Sequence, residues 1–408
     1  MHPVTSALRL ASRTDDLGTE AAYLVLEAAQ RLEAAGRHVA HLEIGEPDTP
    51  TPPHIIEAGV RALRDGHTRY AVAPGIPELR VAIAESLAQR GLSAGPEHVV
   101  VTAGAKPALF YAMFALIEPG DEVLCPDPGF PIYESVVRLA GGRPVLYPLD
   151  GERGFAPDVH AIAERITPRT GMLVLNLPHN PTGGVAASGD EERLAELVLR
   201  HDLAVLSDEV YGQIRYEGKP ESIAALPGMA ERTVVVDAFS KTYAMTGWRL
   251  GYGVMPTGMV DRVTTLLINA ASCTTTFVQH AGIAALRGPQ DPVHRMVAAL
   301  KTKRDLIVNG LGKIDGIRCA CPAGAFYAFP NVASILERAG LKAQGLADRL
   351  LADYGAAVLA GTAFGPGGEG HLRLSFATSP EHMALGLERL ARCVTDLRTS
   401  APSRARSP

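Results

Sequence analysis

The sequence predicts an α/β protein, in which a large unit with a mostly parallel central sheet flanked by helices is joined to a smaller α+β unit. Two observations carry this. From about residue 98, short β-branched runs alternate with helical segments, the pattern of strands linked by crossover helices. Over the last hundred residues the pattern changes to long helical stretches separated by short strands. At 408 residues, with 47% hydrophobic and 20% charged side chains, the chain is also long and apolar enough for two cores.

The elements follow in chain order. Thr19 to Arg37 reads as a helix: Tyr23, Leu24, Leu26, Ala29 and Leu32 recur on a helical period, and Gly36 supplies the stop. A short apolar stretch, His41-Leu42-Glu43-Ile44, breaks at the turn-rich loop Gly45-Glu46-Pro47-Asp48. Val99–Thr102 reads as a strand, and a helix opens near Pro107 with Phe110, Phe114 and Ile117 on one face, ended by Pro119-Gly120. Further strands are Glu122–Cys125, Met172–Asn176, Ala204–Ser207, Thr233–Asp237 and Gly251–Met255, with Glu191–His201 the clearest helix between them. Downstream, Pro292–Leu311, Ala343–Tyr354 and Pro380–Arg398 read as helices, and Ala325–Phe329, Ala357–Leu359 and His371–Phe376 as strands. The resulting division is 44–289 for the large unit, 1–43 with 290–398 for the small one, and 399–408 as a disordered tail carrying Arg404 and Arg406. The N-terminal helix is expected to pack with the small unit.

Charge narrows the function classes. With 39 basic and 44 acidic residues, a net of −5, there is no basic footprint for nucleic acid and no polybasic membrane patch. No apolar run reaches the roughly 18 residues of a membrane span, and no apolar segment follows Arg9 and Arg13 as a secretory signal requires. Cys125, Cys273, Cys319, Cys321 and Cys393 are odd in number and widely spread, without CxxC spacing. They point to reduced thiols in a cytoplasmic protein rather than to disulfides or zinc. His38 and His41 are separated by a turn into a strand, so no metal pair is expected, and no other metal site is read.

In a wound α/β sheet, ligands bind beyond the carboxyl ends of the strands. After Val99–Thr102 come Gly104-Ala105-Lys106; after Glu122–Cys125 comes the segment ending in Phe130; after Met172–Asn176 comes His179-Asn180-Pro181-Thr182-Gly183. After Ala204–Ser207 come Asp208 and Tyr211, and after Thr233–Asp237 come Ser240 and Lys241. Singly, each has a bland reading: Asn180 as a turn residue, Asp208 as a cap, Phe130 as core, Lys241 as a surface charge. Together on one rim they suit a particular chemistry. A lysine in a closed pocket can form a Schiff base with an aldehyde. A carboxylate beside a pyridine nitrogen keeps it protonated. Phenol and amide donors hold a phenolate oxygen, and free amides at a helix start bind phosphate. That inventory describes a site for pyridoxal 5′-phosphate.

From about Leu42 to Arg398 the sequence resembles the fold type I pyridoxal-phosphate aminotransferases of class I/II, the aspartate aminotransferase superfamily. The resemblance is carried by Asn180-Pro181-Thr182-Gly183, Ser207-Asp208-Glu209-Val210-Tyr211, and Ser240-Lys241 followed by Met245-Thr246-Gly247-Trp248-Arg249, in that order and spacing. It implies that Lys241 holds the cofactor covalently and later moves the α-proton, that Asp208 pairs with the pyridinium nitrogen, and that Tyr211 and Asn180 bond the 3′-oxygen. Phe130 would stack on the ring. Gly104, Ala105 and Lys106 would start the phosphate-binding helix, with Ser240 beside Lys241 and with Arg249 supplying charge. Tyr70 looks like the tyrosine that reaches the neighbouring subunit's phosphate, which implies a homodimer. Arg373 looks like the fork for the substrate α-carboxylate, also approached by Asn180 and by the Gly45 backbone. One position departs from the pattern: Ala238 stands where many relatives carry serine or threonine.

The function implied is ping-pong exchange of an amino group between an L-amino acid and a 2-oxo acid. Other chemistry on the same scaffold would reuse the same residues: a C–S or β-lyase, a cyclopropane-forming synthase, or an amino-acid oxidase. A non-catalytic regulatory module with an aminotransferase-like domain is the reading from another class. It fits less well, because Lys241 and Arg373 are intact and no DNA-binding segment precedes Leu42. Among other residues, His179 either lines the site or packs its loop, Cys319 and Cys321 suggest no function, and Tyr327, near Gly324 and Phe326, is a candidate pocket wall. No distal arginine for a dicarboxylate can be named, so acidic, aromatic, branched and basic substrates all stay open.

Overall fold

The β-branched runs come together in one seven-stranded sheet. In the computed structural model, which describes residues 8, 10–15, 17–218 and 222–400, its strands are β1 (Val99–Thr102), β2 (Glu122–Asp127), β3 (Arg143–Pro148), β4 (Thr170–Asn176), β5 (Ala204–Asp208), β6 (Thr233–Ala238) and β7 (Gly251–Val254). Their order across the sheet is β1-β7-β6-β5-β4-β2-β3. All pairs are parallel except those of β7, which runs antiparallel to both β1 and β6. β3 is the strand the sequence hides: Pro144 and Pro148 disguise it, and it survives because an edge strand tolerates missing N–H groups.

Alternation along the strands buries both faces. On one face Met172, Val174, Leu206, Val234 and Val236 meet Leu109, Ala112 and Met113 together with Val260 and Val263 of helix Thr257–Ala271. On the other, Val99, Val101 and Val235 meet Ile55, Leu79, Ile83 and Leu87, while Leu173, Leu175 and Val205 meet Leu194 and Val198. Four helices matter below: α1 (Ala21–Ala34), α2 (Pro53–Arg64), α3 (Pro77–Ala88) and α4 (Ala105–Leu116).

Helix α4 carries two apolar stripes, and the one facing the sheet is not the aromatic one. The helix starts at Ala105, two residues before Pro107, and turns Ala108, Leu109, Ala112 and Met113 to the sheet. Phe110 and Phe114 stack on each other instead, ring centroids 4.7 Å apart, with Phe114 36% exposed. Both stripes satisfy the helical period; the one containing two alanines lets the helix axis approach the strands closely, which bulky phenylalanines would prevent.

A second assembly has its own core. Leu359–Ala360, Leu372–Ser375 and Tyr327–Ala328 form a three-stranded antiparallel sheet, and Ala40–His41 pairs in parallel with Ala356–Ala357. The strand expected at Ala357–Leu359 is thus divided at Val358 between two sheets. Leu42 and the helices Asp291–Leu311 and Pro380–Ser400 pack here, and Tyr211, Ile214 and Tyr216 enter from the segment after β5. Ala29 of α1 packs on Val39 and Ala357, while Ala21, Ala22 and Val25 of the same helix pack against the large-sheet core. The last helix runs through Thr399 to Ser400, two residues into the expected tail; residues 401–408 lie outside the described ones. No helix among the described residues is long and apolar enough to cross a membrane.

The packing of α4 is open to test. Leu109→Ala should cost about 2–5 kcal/mol in urea unfolding, as deletion of a buried leucine does, and Phe114→Ala less than half as much. The reverse ranking would make the aromatic stripe the main contact with the sheet.

Candidate active site

A cavity of about 410 Å³ opens at the carboxyl ends of β4, β5 and β6 and the start of α4. Gly45, Ala105, Lys106, Phe130, Asn180, Asp208, Tyr211, Ser240, Lys241, Arg249 and Arg373 all line it. Gly104 caps α4 just behind the wall, whereas Tyr70 is 86% exposed and stands apart from this cavity.

Asp208 is the last residue of β5, in register with Asn176 of β4, whose side-chain amide donates to the Asp208 carbonyl at 3.0 Å. Its carboxylate accepts the Tyr133 hydroxyl at 2.8 Å and the Val210 N–H at 3.3 Å. Burial dominates nonetheless and pushes the carboxyl up to about 6. Among the described residues no cation forms an ion pair with it.

Lys241 lies in the short helix Phe239–Thr242 that follows β6, and its ammonium donates to the Gly45 carbonyl. Burial pulls the amine down to about 8; Glu46 opposes this, while Arg373, Lys106 and Arg249 reinforce it. An amine so placed is partly free of its proton near neutrality, as a nucleophile must be.

Arg373 comes from the small sheet and is buried. Its guanidinium donates to the Asn180 side-chain oxygen at 3.3 Å and to the Glu43 carbonyl. The Tyr327 ring lies 4.5 Å away and the Phe364 ring 5.0 Å, and Nε has no hydrogen-bond partner among the described residues. The Tyr211 and Tyr327 hydroxyls are 2.7 Å apart. Gly45 is required there, since a Cβ would overlap the Tyr327 hydroxyl.

At the other end, Gly104 has φ 89° and Arg249 φ 56°, both left-handed. A Cβ on Gly104 would collide with the Arg249 guanidinium, which is tethered at 2.8 Å to the Thr246 carbonyl and at 3.3 Å to that of Ala103. The guanidinium therefore sits at the N-terminus of α4, a place suited to an anion. Ala238 and Ser240 both line the cavity. The Lys106 ammonium pairs with Glu20, so only its backbone is free for an anion.

Other sequence candidates are placed elsewhere. His179 is buried away from the cavity, Nδ1 at 2.8 Å from the Thr182 hydroxyl, and burial pulls it down to about 3; it packs the loop. His41 bonds Glu43 and Glu33 at 2.8 and 3.1 Å, and no cluster suited to a metal occurs among the described residues. All five cysteines are free thiols. Tyr327 is a wall, as anticipated. Tyr133 and Asn176, which hold Asp208, went unread. Asn176 had a signal, a polar residue closing an apolar strand; Tyr133, three residues beyond Phe130, had none.

A buried carboxylate lacking a cation, a depressed amine, a guanidinium at a helix start and a phenol define a site for pyridoxal phosphate, whose ring nitrogen is cationic and whose phosphate is anionic. The comparisons agree. The model for aminotransferase class I and II matches residues 37–390. The chain is 37% identical to an aspartate aminotransferase of Geobacillus stearothermophilus over 94% of this chain and 98% of that one. It is 38% identical to an arginine–pyruvate transaminase of Pseudomonas aeruginosa, over 89% and 91%. The structure of an aspartate aminotransferase from Thermus thermophilus with maleate superposes with a TM-score of 0.90 at 38% identity, covering 95% and 100%. The chain belongs to the class I and II aminotransferase family: it is a transaminase that uses pyridoxal phosphate and acts on amino acids and 2-oxo acids.

The state of Asp208 can be read in the cofactor-free protein. Its folded pKa lies above the unfolded value near 3.9, so the stability it contributes is full below pH ~4 and lost as pH rises through about 6. The stability difference between the parent and Asp208→Asn should therefore fall across pH 4–6.5 in urea titrations. A flat difference would place Asp208 in water or beside a cation.

Proposed function

We propose that Lys241 is the residue that holds the cofactor and carries the α-proton, with Asp208 as partner of the ring nitrogen. The observation that carries the reading is that the ends of adjacent strands β5 and β6 bring this acid and this amine to one cavity, whose far wall contains Arg373. Pyridoxal phosphate supplies an electrophilic carbon and an electron-withdrawing ring. Ala105, Ser240 and Arg249, behind Gly104, form the cradle for its phosphate; Phe130 covers the ring, and Asn180 and Tyr211 donate to the 3′-oxygen.

Arg373 takes the substrate α-carboxylate as a two-pronged donor, supported by its freedom from any acidic partner among the described residues. Lys241, depressed by burial, would take the proton from the substrate Cα and deliver it to the cofactor's former aldehyde carbon, where the amino group would stay until the second oxo acid takes it. An amino acid leaves as its 2-oxo acid before a second oxo acid enters by the same route, so both half-reactions share Arg373.

The enzyme is further read as a homodimer in which exposed Tyr70 completes the neighbour's phosphate cradle, in keeping with the commonness of two-fold symmetry. The division at 44–289 against 1–43 with 290–398 is supported by a core of its own around Leu300, Leu346 and Leu390, into which Tyr211, Ile214 and Tyr216 reach from the large unit. Five reduced thiols support a cytoplasmic location.

Lys241→Ala should abolish turnover and the absorbance band of covalently held cofactor; normal turnover in this variant would defeat the assignment. Arg373→Leu should raise the amino-acid KM about 100-fold with cofactor still bound, as loss of a bidentate charged contact does. Equal loss of cofactor, measured by absorbance after dialysis, would refute that role.

A further inference from the structure

Three buried carboxylates crowd the ends of β5 and β6: Asp208, Glu209 and Asp237. One buried guanidinium faces them. Arg90, just beyond α3, donates from Nη2 to Glu209 at 2.7 Å and from Nη1 to Asp237 at 3.0 Å. The other contacts are neutral. Glu209 accepts the Ser207 and Ser222 hydroxyls at 2.9 and 2.6 Å; Asp237 accepts the Ala238 N–H at 2.7 Å and the Tyr252 hydroxyl at 3.1 Å. Tyr243 is the other titratable group near Asp237 and Arg90, and Tyr133 and Tyr211 face Asp208. Gly212 makes room, since a Cβ there would sit 2.9 Å from Arg90 Nη2.

Placement gives this network its meaning. Glu209 directly follows Asp208, and Asp237 precedes Lys241 by four residues on the next strand. Arg90 therefore bridges the two strand ends that carry the acid and the amine. A small second cavity of about 20 Å³ beside Arg90 shares the wall residue Ala238 with the large one. Charge adds a second point: with Arg90 committed to Glu209 and Asp237, one cation among the described residues stands against three acids, and among those residues none pairs with Asp208.

We propose that Arg90, Glu209 and Asp237 form a positioning clamp behind the cofactor site, which locks the two strand ends together and whose surplus negative charge holds a cation at the cofactor ring. The clamp rests on the reading of Asp208 and Lys241 given above. Neither Arg90 nor its two partners lines the large cavity, so they act through their neighbours.

The test follows the pH midpoint of the bound cofactor's absorbance in the holoenzyme, beside turnover. Glu209→Gln keeps the shape but removes a negative charge, so the midpoint should fall by about one unit; Arg90→Gln removes the cation, so it should rise by a similar amount. Arg90→Lys keeps the charge but loses the two-pronged geometry. Its midpoint should stay at the parent value while turnover falls about tenfold at unchanged KM. Unmoved midpoints in both charge variants, or shifts in the same direction, would reduce the network to ordinary structural support and overturn the proposal. If Arg90→Gln does not fold, Glu209→Gln decides alone: a fall supports the clamp, an unmoved midpoint sinks it. Asp208→Asn run alongside must itself lower the midpoint. If it does not, the assignment of Asp208 has failed rather than the clamp.

Discussion

A carboxyl group that leaves water without meeting a cation is the constraint on which this site is built. Asp208 is held by a phenol and a backbone amide, which orient it without neutralising it. Burial without a counter-ion is unfavourable, and a sequence that retains it leaves a place for a charge from outside the chain. Pyridoxal phosphate, the cofactor of this family, has a ring nitrogen able to bring such a charge. The depressed Lys241 amine and the Arg249 and Arg373 guanidinium groups line the same cavity, each a charge or lone pair open to an opposite one.

The fold brings these parts together from distant stretches of chain. Parallel strands deliver Asp208 and the Lys241 segment side by side because their carboxyl ends share one rim. The small sheet contributes Arg373, and the N-terminal loop contributes Gly45, whose missing side chain lets the Tyr327 hydroxyl approach. Tyr211 and Ile214 belong to the core of the second assembly although they follow β5 directly. The cavity is therefore walled by both parts of the molecule, and residues far apart in sequence converge within one coenzyme's reach.

Much of this was readable before any coordinates. The strand runs were visible because β-branched residues cluster there, and the rim because polar residues follow such runs at the loops, where apolar packing does not require them. What stayed hidden follows a physical pattern. Which face of α4 is buried is not legible, because two stripes share the helical period and only contact with the sheet decides between alanine and phenylalanine. β3 was masked by prolines that only an edge position tolerates. Tyr133 and Arg90 have no local signature, since each acts across a tertiary contact to a distant strand end. Sequence spacing speaks to neighbours along the chain and is silent about partners folded onto them.

The reversed direction of β7 has a mechanical consequence. Since β7 runs back alongside β6, the excursion that leaves the rim after Ala238 returns to it at Gly251, and carries both Lys241 and Arg249 within a single hairpin. A crossover helix would have put these two groups on separate levers. Here the amine and the guanidinium ride on one short arm, with left-handed backbone at Ala244 and Arg249. Whatever tilts the arm moves both groups together.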